Sequence, residues 1–325
     1  MNILYASNNE YAPFLGISLY SLLKNNADVE YIDIYVLDNG ISDKNILHLE
    51  KMTEQFHRKI SFIDISNLEK RFCFQINSNG YNITTFARLF LSDLLPQNVD
   101  KVLYLDSDII IQTSIKGLWD TDITDFLLAA IPEVYMPEKK KAYIDLAKDD
   151  IYYNAGVLLI NRRNWEKESL KKSFLQYYQK MSGSLLYNDQ DIINHCCKGK
   201  ITSIHPKYNF EPNVYYFPYS YMKKINKYYF SGSKQEYKEM IANPAIIHFL
   251  GDERPWVIGN RNPYSHIFYS YQKESGWDDY MIIDNRQLYM LCYHILNMTT
   301  KICPWLRTCV TNLIGINKFK WFGKK

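Results

Sequence analysis

Short runs of consecutive apolar residues alternate with longer amphipathic segments through the first half of the chain. The runs near 2–7, 31–37, 60–65, 102–106 and 127–131 read as strands, and the segments near 13–26, 42–57 and 84–95 read as helices. Continuous apolar runs suit strands buried on both faces, and their alternation with helices predicts a mainly parallel α/β sheet covered on both sides. Ligands of such sheets sit beyond the carboxyl ends of the strands. Three polar strand ends then point at one crevice: Asn8-Asn9-Glu10-Tyr11, Asp38-Asn39-Gly40 and Asp106-Ser107-Asp108. The last two-fifths is less regular, with Tyr- and Pro-containing loops at 206–219 and no repeat.

The run KVLYLDSDIII ends a strand on two carboxylates separated by one small residue. Side chains at i and i+2 of an extended chain share a face, so Asp106 and Asp108 can reach one ligand. A hard divalent cation such as Mn²⁺ or Mg²⁺ takes oxygen ligands and keeps positions open for phosphate oxygens. Neither a G-x-G-x-x-G fingerprint nor a P-loop occurs, so a nucleotide here needs metal and basic side chains in place of a glycine cradle. The chemistry indicated is metal-assisted handling of a diphosphate.

Further polar clusters follow. Tyr153-Asn154-Ala155-Gly156 precedes the apolar run VLLIN, either as a tight turn or as backbone that a ligand approaches closely. Asn188-Asp189-Gln190-Asp191 heads the helical run IINHCC, where Asp189 either caps the helix or, with Gln190, faces a sugar. In IIHFLGDERPW, His248 ends a strand either as a structural histidine or as a third metal ligand, with Gly251 and Arg254 placed to grip phosphate. Arg88, in ITTFARLFL, is a surface or helix-end arginine or a cation facing the diphosphate.

With 47% apolar and 22% charged residues the composition is that of an ordinary globular protein, and a net charge of +3 argues against nucleic-acid binding. Charge is unevenly spread: from Asn285 to Lys325 there are seven Lys and Arg and no acid, which leaves −4 for the first 284 residues. Leu288, Tyr289, Leu291, Trp305, Leu306, Phe319, Trp321 and Phe322 interleave with those cations. The expectation is a division into a catalytic domain over 1–280 and a basic, aromatic-rich helical region over 281–325 that lies on an anionic membrane surface, in preference to a packed lid. No Lys/Arg-headed apolar signal opens the chain and no run has the length of a membrane span. Six cysteines without paired metal spacing fit reduced thiols in a cytosol, where the sequons at Asn82 and Asn297 carry no meaning. The 28 tyrosines read as compositional bias rather than as sugar-stacking surfaces.

Taken in order, ITTFARL, KVLYLDSDI, LWDTDI, YYNAGVLLIN, NDQDIIN and HFLGDERPW resemble family eight of the retaining glycosyltransferases, most closely the bacterial lipooligosaccharide α-galactosyltransferases and more distantly glycogenin. The resemblance covers roughly 2–260. It implies the nucleotide-sugar-binding GT-A fold, a Rossmann-like mixed sheet flanked by helices, and transfer of a hexose from UDP-galactose or UDP-glucose to a glycan or lipid-linked acceptor. Carried over residue by residue, it makes Asp106, Asp108 and His248 the Mn²⁺ ligands, with Ser107 between them. Ala6, Asn8, Glu10 and Tyr11 match the uridine site. Arg88, Asn154, Ala155, Asp189 and Gln190 match the donor-sugar pocket, with Arg88, Asp189 and Gln190 catalytic and Gln190 beside the anomeric carbon. Gly251 and Arg254 match the phosphate-gripping turn.

This chain departs from its relatives at several of these positions: Asn8 stands for a common Asp, Glu10 for Asn, Arg254 for Lys, Glu133 for an acceptor-contacting Asp, and Gly80 and Tyr81 differ near the sugar. Gln190 is a poor nucleophile, which favours same-face attack through a short-lived ion pair over double displacement. Three rivals compete with this reading. A haloacid-dehalogenase-like phosphatase fails because its D-x-D opens the domain. The other two are a non-catalytic nucleotide-sugar sensor on the same fold and a self-glucosylating initiator.

Overall fold

The computed structural model describes residues 1–71, 83–278, 280–283 and 285–312. Among the described residues nine strands run in chain order as β1 (Asn2–Asn8), β2 (Asp33–Asn39), β3 (Lys59–Asp64), β4 (Lys101–Leu105), β5 (Ile109–Ile111), β6 (Leu128–Pro132), β7 (Tyr153–Asn161), β8 (Ile201–Ser203) and β9 (Ile246–His248). Seven of them form one sheet in the order β3-β2-β1-β4-β7-β6-β8, and β5 pairs with β9 in a separate ribbon. The first four are parallel, as the βα alternation predicts. β7 enters antiparallel between β4 and β6, so the sheet is mixed.

Alternating side chains along each central strand fill two cores, one on each face. Ile3, Tyr5, Leu103, Leu105, Val157 and Leu159 belong to the first, with helix α1 (Ala12–Lys24) and the ribbon packed on it. Leu4, Ala6, Val102, Tyr104, Leu158 and Ile160 belong to the second, beneath the segment Ile83–Phe90 and the helices Leu170–Lys180 and Asn188–Cys196. Helix α2 (Asp43–Gln55) starts where the Ser42 side chain accepts from the Asn45 N–H at 3.4 Å.

Two expectations shift. The helix expected over 84–95 is a 3₁₀ segment from Ile83 to Phe90, and only Leu91–Leu94 is α-helical. Three residues per turn eclipse Thr85 and Arg88, and Arg88 Nε donates to the Thr85 carbonyl at 3.2 Å. Tyr153-Asn154-Ala155-Gly156 is not a turn before a strand but the first four residues of β7 itself. Cys73, Gly80, Tyr81, the Asn82 sequon, Phe319, Trp321, Phe322 and the last four lysines, Lys318, Lys320, Lys324 and Lys325, lie outside the described residues. Asn297, the other sequon, is buried.

The later part of the chain closes back on the first helices. Trp277 stacks on His48 of α2, ring centroids 4.3 Å apart, and covers Gly16 of α1 so closely that a Cβ there would lie 2.1 Å from its Nε1. Gly16→Ala should therefore destabilise the fold by about 1–3 kcal/mol through overpacking, despite the better helix propensity of alanine. Urea unfolding of the variant measures this, and a loss of only a few tenths would contradict the packing described.

Candidate active site

The chain leaves β4 and enters β5 through Asp106-Ser107-Asp108, crossing from the sheet to the ribbon. Ribbon register decides what meets these carboxylates. Ile109 of β5 faces His248 of β9, which brings His248 Nε2 to 3.2 Å from Asp108 Oδ1 and 3.7 Å from Asp106 Oδ2. One ligand atom from each of the three lies within 4.8 Å of the others. Ser107 and Asp108 form a turn rather than the extended strand expected, and the Ser107 hydroxyl donates to the Ala6 carbonyl at 3.3 Å.

The surroundings fit a cation. Asn209 Oδ1 lies 2.8 Å from His248 Nδ1, fixing the tautomer that offers Nε2. Asn209 in turn donates to Asn154 Oδ1 at 2.8 Å. Gly156 leaves the room required, since a Cβ there would fall 2.2 Å from His248 Cε1 and 3.0 Å from Asp106 Oδ2. Burial works against charge on Asp108, but His248 and Arg254 outweigh it and hold the carboxyl down at about 2. Two carboxylates and an imidazole nitrogen form a donor set suited to Mn²⁺ or Mg²⁺.

Arg88 organises the side of Asp106 turned away from His248. Its guanidinium is 4% exposed and lies 4.0 Å from the Tyr104 ring centroid. Nη2 donates to Asp106 Oδ1 at 2.9 Å, Nη1 to the Ala155 carbonyl at 2.5 Å, and Nε is 3.1 Å from Asp189 Oδ2. Tyr104 adds a 2.8 Å bond to the same Asp106 oxygen. Arg88 therefore faces protein carboxylates and a carbonyl rather than open solvent. Burial pushes the Asp189 carboxyl up to about 6 even with Arg88 beside it.

Asp189 does not cap its helix. Asn188 adopts a left-handed φ of 45° at the head of the helix, and Asp189 turns to Arg88. Gln190 has both ends of its amide engaged: Oε1 accepts from Ala155 N–H at 2.8 Å, and Nε2 donates to Glu133 Oε2 at 3.3 Å and to Tyr152 Oη at 3.2 Å. Asp191 anchors that corner by accepting from Tyr152 and from the Leu186 and Tyr187 N–H groups. Glu133 also accepts from Asn154 at 3.1 Å and hydrogen-bonds buried Glu211, whose carboxyl burial and the neighbouring acid push well above its ordinary range.

At the end of β1, Asn8 Oδ1 accepts from the Tyr11 N–H at 3.0 Å, while the Glu10 side chain is exposed. The Tyr11 hydroxyl accepts from Arg254 Nη1 at 2.9 Å, and its ring meets Phe14 edge-on. Arg254 Nε is buried with no partner among the described residues, as expected of a side chain that an anion completes. Gly251 takes a φ of +86° in the turn before it, where a side chain would be strained. Sequence reasoning missed Asn209, Tyr104, Tyr152 and Glu211. Each is a single polar residue inside an apolar or irregular run, and only the folded chain brings it to the site.

Comparison with known proteins agrees with this geometry. A Haemophilus influenzae protein provisionally named a glycosyltransferase is 33% identical over 215 residues, 65% of this chain and 64% of its own length. The lipopolysaccharide 1,2-glucosyltransferase of Escherichia coli is 25% identical over 283 residues, 86% of this chain and 79% of its own length. The crystal structure of the galactosyltransferase LgtC in complex with donor and acceptor sugar analogues superposes with a TM-score of 0.70 at 30% identity, covering 84% of this chain and 96% of that one. Its likeness identifies the mixed sheet as the GT-A glycosyltransferase fold. The family model for glycosyl transferase family 8 matches residues 2–258, which takes in every residue of the site described, and the chain belongs to that family.

Proposed function

We propose that the chain is a retaining hexosyltransferase that moves galactose or glucose from UDP to a hydroxyl of a glycan or lipid-linked acceptor, with Mn²⁺ or alternatively Mg²⁺ as its cation. The product in this reading is a cell-surface polysaccharide, lipooligosaccharide or related glycoconjugate. One observation carries it: the Asp106, Asp108 and His248 triangle is flanked by Arg254 and joined through Arg88 to Asp189 and, by way of Ala155, to Gln190. A glucosyltransferase and a galactosyltransferase among the relatives support either hexose equally.

Asp106, Asp108 and His248 hold the cation, which when bound supplies Lewis-acid stabilisation of the charge that develops on the departing diphosphate. Arg254 adds a fixed positive charge there, and Tyr11, held by Phe14 and Arg254, is the uracil platform. Arg88 keeps Asp106 and Asp189 in place. Gln190 offers no nucleophile and its amide is committed on both sides, which supports same-face attack, the acceptor proton passing to the departing phosphate oxygen. Glu133, beside Gln190, is assigned to the acceptor side.

The helix Gln287–Thr300 is inverted relative to an ordinary surface helix. Met290, His294, Asn297 and Thr300 face inward, while Leu288 (75% exposed), Leu291, Ile295 and Met298 face out, continuing to Ile302 (84%) and Trp305. No helix among the described residues is long and apolar enough to cross a membrane. An outward apolar stripe in a region with seven cations and no acid supports peripheral attachment to anionic lipid, on the cytoplasmic face of the plasma membrane.

With Mn²⁺ and UDP-galactose or UDP-glucose, the protein should release the hexose slowly to water, the α anomer appearing first by NMR. Initial release of the β anomer would overturn retention, and no hydrolysis of either donor would overturn the donor assignment. Asp108→Asn and His248→Ala should each lower that hydrolysis about a hundredfold or more, with the loss traced by metal titration.

Glu211 gives a pH-dependent outcome. Its folded value lies well above the ordinary 4.5, so its contribution to stability is complete below about pH 4.5 and is lost as pH rises through the folded value. Glu211→Gln, neutral throughout, should gain in Tm over the parent between pH 5 and pH 8; a difference that stays constant with pH contradicts a protonated Glu211. On vesicles with anionic lipid the full chain should co-float, and Ile302→Ser with Trp305→Ser should reduce the bound fraction about tenfold. Equal flotation of the double variant would count against this face as the membrane contact.

A further inference from the structure

Three consecutive residues of the phosphate turn reach in two directions. Asp252 takes Arg286 Nη1 at 2.8 Å and the Tyr289 hydroxyl at 2.9 Å. Glu253, 6% exposed, lies 2.7 Å from His294 Nδ1 through Oε1 and accepts from Asn297 Nδ2 at 2.9 Å through Oε2. Arg254 goes the opposite way, to Tyr11 at the N-terminus of α1. His294 and Asn297 are i and i+3 on the inward face of the helix Gln287–Thr300, so a single helix face grips both carboxyl oxygens. Asn297 is itself held by Arg307 Nη1 at 2.5 Å.

A carboxyl group buried this deeply is costly unless both oxygens are satisfied, and burial lifts Glu253 to about 7. The carbonyls of the turn are tied locally by Asn260 and Asn262. Beyond the turn lies open space, a cavity of about 570 Å³ bordered by Gly251, Arg254, Trp256, Ile282 and Arg286. On that side the arginine meets the Trp256 ring, 5.6 Å from its centroid, and the rest is open. Asp252, through Tyr289, and Glu253, through His294 and Asn297, both tie the turn to the helix, and of the two Glu253 is the buried one.

We propose that Glu253 is a positioning residue for Arg254, and that the helix Gln287–Thr300 is thereby part of the donor-binding apparatus and not only a surface attachment. The inference rests on the reading above in which Arg254 grips the donor's diphosphate. The inward polar face of the helix then has a purpose separate from its outward apolar one.

The test is calorimetric binding of UDP in the presence of Mn²⁺ to the full chain and to Glu253→Ala, Arg254→Ala and the double variant. Glu253→Ala should weaken UDP about tenfold, and adding it to Arg254→Ala should change nothing further, because the two act as one unit. Asn297→Ala, which removes one of the two bonds from the helix, should weaken UDP severalfold and carries the test if Glu253→Ala fails to fold. Parent-like affinity in Glu253→Ala or Asn297→Ala would overturn the proposal, as would an equal loss in the Arg254→Ala background, which marks a merely structural role. If Arg254→Ala itself binds UDP like the parent, the phosphate assignment of Arg254 fails and the inference with it. If Arg254→Ala weakens binding and the Glu253 variants do not, only the inference fails.

Discussion

A guanidinium buried to 4% exposure has to find negative partners before the chain around it can close. Arg88 finds them at the end of β4, at the start of β7 and at the head of the helix Asn188–Cys196, and so fixes three elements that are far apart in sequence. Removing Arg88 would leave both Asp106 and Asp189 without their cation, so the site cannot loosen at one corner alone. The 3₁₀ winding of Ile83–Phe90 belongs to the same constraint, since it keeps Arg88 over Tyr104 while Thr85 takes up Nε. The catalytic face is in this sense built outward from one cation.

A second constraint is the ribbon. Asp108 and His248 are 140 positions apart, and they meet because Ile109 pairs with His248 across two three-residue strands. A slip of one residue would turn His248 to the other face. Buried isoleucines at 109, 110, 111, 246 and 247 specify the register. Asn209 then sets the imidazole, and the missing side chain of Gly156 leaves it room.

Most strands and the first two helices of the first half are legible in the sequence because each apolar run is bounded by polar residues and both sheet faces are buried, but the 3₁₀ winding of Ile83–Phe90 and the short β5 are not. What is not legible is direction: β7 reads like any buried strand, and nothing in YNAGVLLIN says that it enters antiparallel between β4 and β6. Asp106, Asp108, His248, Arg254 and the Asp189–Gln190 pair stand out because polar residues follow apolar runs abruptly. Asn209 and Glu211 sit in an irregular loop, and Tyr104 and Tyr152 look like core aromatics. Their partners are set by tertiary approach alone. Charge along the C-terminal region was legible as well, but not that its helix turns polar residues inward onto Glu253.

The crossing at Asp106-Ser107-Asp108 has one more consequence. It is the seam between the seven-stranded sheet and the ribbon, and a ligand held by both carboxylates and His248 bridges that seam. Binding to the native state alone adds stability by mass action. In the proposed reading, the lifetime of this polypeptide against proteolysis therefore follows the supply of divalent cation and sugar nucleotide, and starvation for either depletes the enzyme itself as well as its turnover.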